Sequence, residues 1–222
     1  TRHEDIVPTL YEAYAIATSG EPGPVFIELP VNLQIFPGEV SELPAYVPPR
    51  PSHVGDSAEI RAAAALLASG KRVGLFVGWG ARDAVGEVMD IAEWLEAPVA
   101  TTLQGLSVFP ANHPLHAGFG FGQSAVPAAR NAFKDCDVML AVGTRFAEIA
   151  TGSYGVTVPE NLIHVDINPD VFSANYPAKI GLDGDAGPVL RALLAALKQA
   201  TPRRDVNHAL RNQLRDDKQA YR

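Results

Sequence analysis

Four groups of residues follow predicted strands, and their types suit contact with a nucleotide. In an open parallel sheet, ligands bind in the crevice beyond the carboxyl ends of the strands. Glycine lets the main chain approach a ligand closely, arginine neutralises phosphate or stacks on a base, and aspartate accepts hydrogen bonds from ribose hydroxyls. These types together predict a nucleotide-shaped crevice. The residues are Gly78, Trp79 and Gly80, then Thr101 and Thr102, then Gly143, Thr144 and Arg145, and finally Asp166 and Ile167.

Each of these residues also has a simpler structural explanation. The segment from Gly78 to Asp83 matches only the first two glycines of the dinucleotide-binding fingerprint. Asp166 lies far beyond the roughly 20-residue spacing expected of the ribose-binding acid in that motif, which disfavours a standard Rossmann dehydrogenase. The glycines can serve tight turns alone. Asp166 can form an Asx-turn or cap a helix before Pro169, and Arg145 can pair with a surface carboxylate.

Three further groups offer weaker chemistry. His113 and His116 are close enough in sequence to share a zinc ion, but no third ligand is nearby, so a polar loop is favoured. Cys136 lies between two aspartates, whose negative charge raises the pKa of a thiol and makes it a poor nucleophile. Gly184 and Asp185 invite comparison with a metal-diphosphate motif, although a turn and the start of a helix explain them better. No metal site is therefore predicted.

The composition excludes several classes of protein. The chain has 222 residues, 25 acidic and 18 basic side chains, a net charge of −7 and an apolar fraction of 47%. A disordered tail has fewer apolar residues, and a nucleic-acid binder has an excess of basic ones. The single cysteine excludes an intramolecular disulfide and suits the reducing cytoplasm, and no stretch reaches the roughly 20 apolar residues of a membrane span. The chain begins with Thr1 rather than with methionine, and we therefore expect it to be a piece of a longer gene product.

The elements that position these residues fall into unequal parts. Residues 1–38 predict a helix over Ile6 to Thr18 and one strand over Val25 to Leu29, which is too little to enclose a core. Residues 39–52 are dense in proline and predict a linker. Residues 53–200 predict one α/β domain, and the polar residues 201–222 predict a surface helix or a tether.

The predicted domain alternates helices with apolar strands, which indicates a parallel sheet with helices on both faces. Asp56 and Glu59 have capping-box spacing before the first helix, Asp83 is placed to cap the second, and Pro188 opens the last. The predicted strands cover Val73 to Val77, Pro98 to Thr101, Asp137 to Val142, Leu162 to Ile167 and Lys179 to Leu182.

Two sets of motifs carry a family resemblance. The segment from Gly23 to Gln34 has the sequence Gly-Pro-Val-Phe-Ile-Glu-Leu-Pro-Val-Asn-Leu-Gln, and it resembles the end of the N-terminal, pyrimidine-binding domain of thiamine-diphosphate-dependent enzymes of the acetolactate synthase family. Residues similar to the central domain are Thr101, Thr102, Gly105, Phe109, Pro110, His113, Pro114, Leu115, Gly118, the run from Asp137 to Gly143, Arg145, Phe146 and the run from His164 to Ile167. The order and spacing agree over roughly residues 1 to 197.

The resemblance implies a remnant of the first domain (1–38), a linker (39–52), a complete central domain (53–200) with a six-stranded, mainly parallel Rossmann-like sheet, and a linker towards a missing diphosphate-binding domain (201–222). The parent enzyme is then a cytoplasmic carboligase or decarboxylase of 2-oxo acids that uses thiamine diphosphate and Mg²⁺. Its activating glutamate and its metal-diphosphate motif both fall outside this chain, so the chain alone is expected to be inactive. Its expected partners are the remaining domains and further copies, in a homodimer or homotetramer.

The resemblance also places ten residues along a groove that binds FAD in some relatives, ADP in others and nothing in the rest. They are Gly78, Gly80, Thr102, Leu103, Gly143, Arg145, Asp166, Ile167, Asp185 and Ala186. Two departures weaken the FAD interpretation: Phe119 to Gly122 lack the family's histidine, and Ala147 to Ile149 lack its second arginine. A free-standing nucleotide-binding module is the alternative. An NAD-dependent enzyme on a deoxyhypusine synthase or sirtuin-like fold is the least favoured interpretation.

Overall fold

The computed structural model of the chain describes residues 2–48 and 57–221. The chain divides into two compact units at Ser52. We call residues 2–48 the first unit and residues 57–221 the second unit. The predicted boundaries of the remnant, the linker and the central domain stay predictions, because two compact units do not by themselves assign domains.

The first unit is built on one long helix. Helix α1 covers Ile6–Thr18 as predicted, and the short helix α2 covers Val31–Ile35. The strand predicted over Val25 to Leu29 is wrong: this segment is not in a sheet, because no second strand is available for it among residues 2–48. Tyr46, in the predicted linker, packs on Tyr11 and Tyr14 of α1, with ring centroids 5.2 and 5.5 Å apart.

The second unit alternates helices and strands. Its helices are α3 (Ala58–Ser69), α4 (Val85–Leu95), α5 (Pro127–Phe133), α6 (Ala186–Ala200) and α7 (His208–Tyr221). Its strands are β1 (Val73–Val77), β2 (Val99–Thr101), β3 (His116–Phe119), β4 (Val138–Val142), β5 (Asn161–Asp166) and β6 (Ile180–Asp183). Strand β3 is an addition to the five strands that the apolar runs predict.

The six strands form one sheet in the order β3-β2-β1-β4-β5-β6, and every neighbouring pair is parallel. Side chains alternate between the two faces, so Leu75 joins one apolar cluster and Phe76 the other. Helices α3, α4 and α6 cover the first face, and α5 and α7 cover the second. This confirms the predicted α/β fold with helices on both faces.

Three helix starts differ from prediction. Helix α3 is capped by the Ser57 hydroxyl, which accepts from the Ile60 amide at 3.1 Å, whereas the expected cap Asp56 lies outside the described residues. Asp83 does not cap α4, because the N-cap position falls on Ala84, one residue later. Helix α6 begins before Pro188, since Asp185 accepts from the Gly187 amide at 3.0 Å and starts the helix at Ala186.

The segment after α6 is fastened to the ends of α3 and α4. The Arg204 guanidinium donates to the carbonyl of Gly70 at 2.6 Å, just past the end of α3. Glu96 follows α4 in a left-handed conformation (φ 49°), and its buried carboxylate accepts from the Arg211 Nε and Nη2 atoms at 2.6 and 2.8 Å. The backbone N–H of Asn207 donates to the same carboxylate. We call residues 201–211 the strap.

Helix α7 continues from the strap and packs on α5. Leu214 is fully buried in the cluster on that face, and Leu210 touches both clusters. The prediction of a surface helix is thus confirmed in form, and the helix also contributes to the core. Its predicted role as a linker towards a further domain stays a prediction.

Candidate functional site

Backbone hydrogen bonds join the ends of all six strands along one edge of the sheet. Such a bond occurs where neighbouring strands end, because parallel strands all finish at the same edge. The donor and acceptor pairs are Gly120 to Thr101 (2.9 Å), Thr102 to Val77 (2.9 Å), Gly78 to Val142 (2.9 Å), Gly143 to Val165 (2.8 Å) and Gly184 to Asp166 (3.0 Å). The structure therefore brings the residues predicted from separate strands to one carboxyl edge.

The glycines at this edge are required by contacts between main chains. A Cβ atom on Gly78 would lie 2.2 Å from the Gly143 carbonyl oxygen, and one on Gly143 would lie 2.5 Å from the Gly80 Cα atom. Gly143 also has a φ of 58°, which glycine adopts at little cost. The loops after β1 and β4 thus press against each other, and this packing explains the three glycines without a ligand.

The polar side chains at the edge hold turns. The Thr102 hydroxyl accepts from the Gly105 amide at 3.0 Å. Asp166 Oδ1 accepts from the Asn168 amide at 3.0 Å, which is the Asx-turn that sequence reasoning offered as the simpler explanation. Asp185 caps α6. Each of these acceptors has a further lone pair for a ligand donor, so the turns leave the nucleotide interpretation open.

The remaining predicted residues differ in exposure. Arg145 is exposed and Leu103 is about half exposed, whereas Ile167 is partly buried and Ala186, the first residue of α6, is buried. Trp79 is 51% exposed between Gly78 and Gly80, and the Arg82 guanidinium lies 5.4 Å from its ring centroid. The edge therefore offers an aromatic surface and two arginines beside the acidic turns.

The loop after β4 is held by two side chains that sequence reasoning did not assign to the site. The His164 Nε2 atom lies 2.7 Å from the Thr144 carbonyl oxygen. The side-chain amide of Asn175 donates to the backbone carbonyl of Arg145 at 3.0 Å and to that of Phe146 at 3.4 Å. His164 carried a signal only as part of a family-like motif, and Asn175 carried none.

The weaker candidates do not form a site. His113 Nδ1 accepts from the Leu115 amide and its Nε2 lies 3.3 Å from Glu93, while His116 stacks on Phe109. Burial, helped by Lys218 and His113, lowers the pKa of His116 to about 4. The described residues contain no group of three or more side chains that could hold a metal ion.

The thiol of Cys136 is hard to ionise in the folded chain. Burial, more than the neighbouring Asp137, raises the pKa of its thiol to about 12, and the thiol donates to the Val138 carbonyl at 2.9 Å. The direction of the predicted shift is confirmed, but its main cause is burial rather than the adjacent charge.

No helix in the described ranges has the length and apolar character needed to cross a membrane.

A separate pocket of about 300 Å³ lies in the first unit, between the start of α1 and the turn before α2. Its wall includes Asp5, Thr9, Ile27 and Glu28. It contains none of the predicted site residues.

Comparison with known proteins identifies the family. The family model described as "Thiamine pyrophosphate enzyme, central domain" matches residues 60–193, which is more than half of the chain. The "Probable acetolactate synthase large subunit" of Methanocaldococcus jannaschii is 40% identical over 207 residues, covering 87% of this chain and 34% of that protein. The "Acetolactate synthase large subunit" of Corynebacterium glutamicum is 33% identical over 207 residues, covering 89% and 32%.

The "Acetolactate synthase isozyme 2 large subunit" of Escherichia coli is 32% identical over 199 residues, covering 88% of this chain and 35% of that protein. The chain thus spans about a third of the length of these relatives. The match over residues 60–193 includes all six strands of the parallel sheet, whereas α7 lies beyond it. The chain therefore belongs to the thiamine pyrophosphate enzyme family and carries its central domain.

Proposed function

We propose that this chain is part of a thiamine-diphosphate-dependent enzyme of 2-oxo acids, with acetolactate synthase activity the best-supported assignment. The observation that carries the proposal is the 40% identity to a probable acetolactate synthase large subunit over 87% of this chain. Thiamine diphosphate, when bound, supplies the electron sink that decarboxylation of a 2-oxo acid requires. The parent enzyme is proposed to be cytoplasmic and to assemble as a homodimer or homotetramer.

The described residues contain no group of three or more acidic, histidine or cysteine side chains that could hold a metal ion. The two carboxylates at the carboxyl edge, Asp166 and Asp185, hold a turn and the start of a helix. We assign the binding of thiamine diphosphate and Mg²⁺ to other domains of the parent enzyme, because the family resemblance places the activating glutamate and the metal-diphosphate motif there, and we expect the 222-residue chain alone to be inactive. Its own residues fold the central domain and form the carboxyl edge.

Turnover of pyruvate tests the assignment. The protein encoded by the complete gene is expected to form acetolactate and CO₂ from pyruvate when thiamine diphosphate and Mg²⁺ are supplied, and to lose that activity when either is left out. The 222-residue chain is expected to give no product under the same conditions. Turnover by the short chain contradicts its proposed inactivity, and failure of the full-length protein to decarboxylate any 2-oxo acid contradicts the enzyme assignment.

We further propose that the carboxyl edge binds an adenine nucleotide, either ADP or the ADP part of FAD. Asp166 is placed to accept from ribose hydroxyls through Oδ2, since its other oxygen serves the Asx-turn. Arg145, exposed in the loop after β4, is placed to neutralise phosphate. The second candidate is a purely structural edge, which is favoured by the tight packing of Gly78, Gly80 and Gly143.

Calorimetric titration of the 222-residue chain with ADP, FAD and NAD separates these candidates. Asp166→Ala is expected to abolish binding of the adenine nucleotides while the circular dichroism spectrum stays the same. The matched control is Asp170→Ala, which removes an exposed carboxylate from the turn that follows β5. Unchanged affinity in Asp166→Ala refutes the ribose role, and no binding by the unaltered chain leaves the structural edge as the answer.

A further inference from the structure

The loop after β4 has three successive carbonyl groups bound by side chains from a distant part of the chain. His164 on β5 binds the Thr144 carbonyl at 2.7 Å, and Asn175 binds the carbonyls of Arg145 and Phe146 at 3.0 and 3.4 Å. A carbonyl only accepts, so both side chains donate. The backbone of this loop is thereby fixed by β5 and by the segment that follows it.

The surroundings of His164 fix its role as a donor. The ring is buried between Phe146 and Phe172, with centroid distances of 5.3 Å to each. Burial lowers the pKa of His164, which keeps the ring neutral. A neutral ring that donates from Nε2 carries no proton on Nδ1, and Nδ1 has no hydrogen-bond partner among the described residues.

The held loop has a conformation that its sequence does not favour. Phe146 has a φ of 51°, in the left-handed region that a bulky side chain rarely adopts. Its ring is buried beside Phe76 and Tyr176, with centroids 5.7 and 5.4 Å away. A strained residue of this kind persists only where the surroundings determine its conformation. The bonds from His164 and Asn175, together with the packing of this ring, provide that determination.

We propose that His164 and Asn175 are positioning residues of the nucleotide site, which hold the loop from Gly143 to Phe146 in the one conformation that presents Arg145 at the carboxyl edge. The proposal rests on the nucleotide-binding function proposed above for that edge. It adds that recognition of the ligand's phosphate groups depends on two side chains that do not touch the ligand. Neither donor acts on the ligand directly, because both are engaged with the loop carbonyls.

Three substitutions test the positioning role in the 222-residue chain. Asn175→Asp replaces the donating amide with a carboxylate that repels both carbonyls, and His164→Phe keeps a ring of similar size without the donor. His164→Gln retains a donor at the end of a flexible side chain. Asn161→Asp is the matched control, since Asn161 also donates its amide to a backbone carbonyl, that of Asp137, but at the amino end of β5.

Two measurements are made on every variant. Hydrogen exchange of the amides from Arg145 to Glu148 reports the loop alone, and calorimetry with ADP and with FAD reports the site. Asn175→Asp and His164→Phe are expected to speed exchange in this loop, and to weaken nucleotide binding, by about tenfold or more. His164→Gln is expected to stay within about threefold of the unaltered chain, and Asn161→Asp is expected to leave both loop exchange and affinity unchanged.

The two readouts separate the two proposals. Unchanged exchange in Asn175→Asp overturns the positioning role whether or not nucleotides bind. Absence of ADP and FAD binding by the unaltered chain overturns the nucleotide site, and with it a positioning role for that site, even where the loop loosens as expected. If His164→Phe fails to fold, Asn175→Asp still decides the question, because Asn175 is bonded to the loop from outside the sheet. Binding of ADP but not FAD, or of FAD alone, identifies which source supplies the phosphate groups.

Discussion

The two units of the chain differ most in what they bury. In the second unit, two apolar clusters enclose the sheet on both faces, and side chains such as Phe76 are completely buried. Among residues 2–48, Ala13 alone is buried, while Phe26 is 87% exposed. The apolar residues of the two units are similar in type. The two units therefore differ in whether a sheet and its covering helices are present to bury these side chains.

This difference shows what a strand needs beyond a suitable sequence. The run Val25 to Leu29, apart from Glu28, is apolar and rich in strand-forming residues, as is the run Val73 to Val77. Only the second run is a strand, because β2 and β4 lie on either side of it. The comparison predicts that perturbations of the second unit cost far more stability than matched perturbations of the first.

The largest difference is expected for a buried and an exposed phenylalanine. Phe76→Ala should lower the free energy of unfolding by about 3–5 kcal/mol, because it leaves a cavity between the sheet and α5. Phe26→Ala should change it by less than about 0.5 kcal/mol, since the ring is mostly in solvent. Urea unfolding followed by circular dichroism measures both. A large effect at Phe26 would show that the first unit buries this ring after all.

The next effect concerns ion pairs. Glu96→Gln removes the charge that faces Arg211 and should cost about 2–3 kcal/mol, because charge-assisted hydrogen bonds to a buried carboxylate are lost. The matched change in the first unit, Glu4→Gln, removes the pair between the partly exposed Glu4 and the exposed Arg2 and should cost about 0.5 kcal/mol or less. Thermal unfolding compares them. Equal losses would mean that the strap is not held by Glu96.

Glycine substitutions sharpen the comparison at the level of the main chain. Gly143→Ala should cost about 2 kcal/mol, since the new methyl group meets the Gly80 backbone and φ is positive. Gly23→Ala, in the first unit, meets nothing within 4 Å and should be neutral or slightly stabilising. Chemical denaturation of both variants gives the difference. A neutral Gly143→Ala would contradict the close contact between the loops after β1 and β4.

The smallest effect is a dependence on pH. The pKa of His116 is lowered to about 4 in the folded chain, from 6.5, by burial and by Lys218 and His113. The unfolded chain therefore binds a proton more readily, and stability is lost as pH falls from about 6.5 towards 4. Between pH 7.5 and 5.5 the loss from this group should be about 1 kcal/mol. His116→Gln should flatten that part of the stability curve; an unchanged slope would remove His116 as its source.

Most of the fold could be predicted because the strands are short apolar runs between polar turns. Strand β1 and strand β4 were found within a residue of their bounds for this reason. Strand β3 was missed because it has only four residues, includes Gly118 and pairs with β2 through a shifted register. Its place in the sheet is decided by β2, which the sequence alone does not show.

The sequence predicted which residues lie at the strand ends. It did not predict the side chains that hold the loop after β4. Turn residues such as Asp166 follow their strands directly, so their position at the carboxyl edge follows from the parallel sheet. His164 and Asn175 act on a loop about 20 and 30 residues earlier in the chain. No local sequence pattern indicates these contacts, because His164 reaches the loop through the pairing of β4 with β5, and Asn175 reaches it from the segment between β5 and β6.

The order of the strands also governs how quickly the chain can reach this fold. The central pair, β1 and β4, aligns Val73 with Val138, and two other strands lie between them in the sequence. Since all neighbours are parallel, no pair can start as a hairpin, and each pairing must first close a long loop. Refolding after rapid dilution from denaturant should therefore show early helix formation over α3 and α6, followed by a much slower phase in which the sheet assembles.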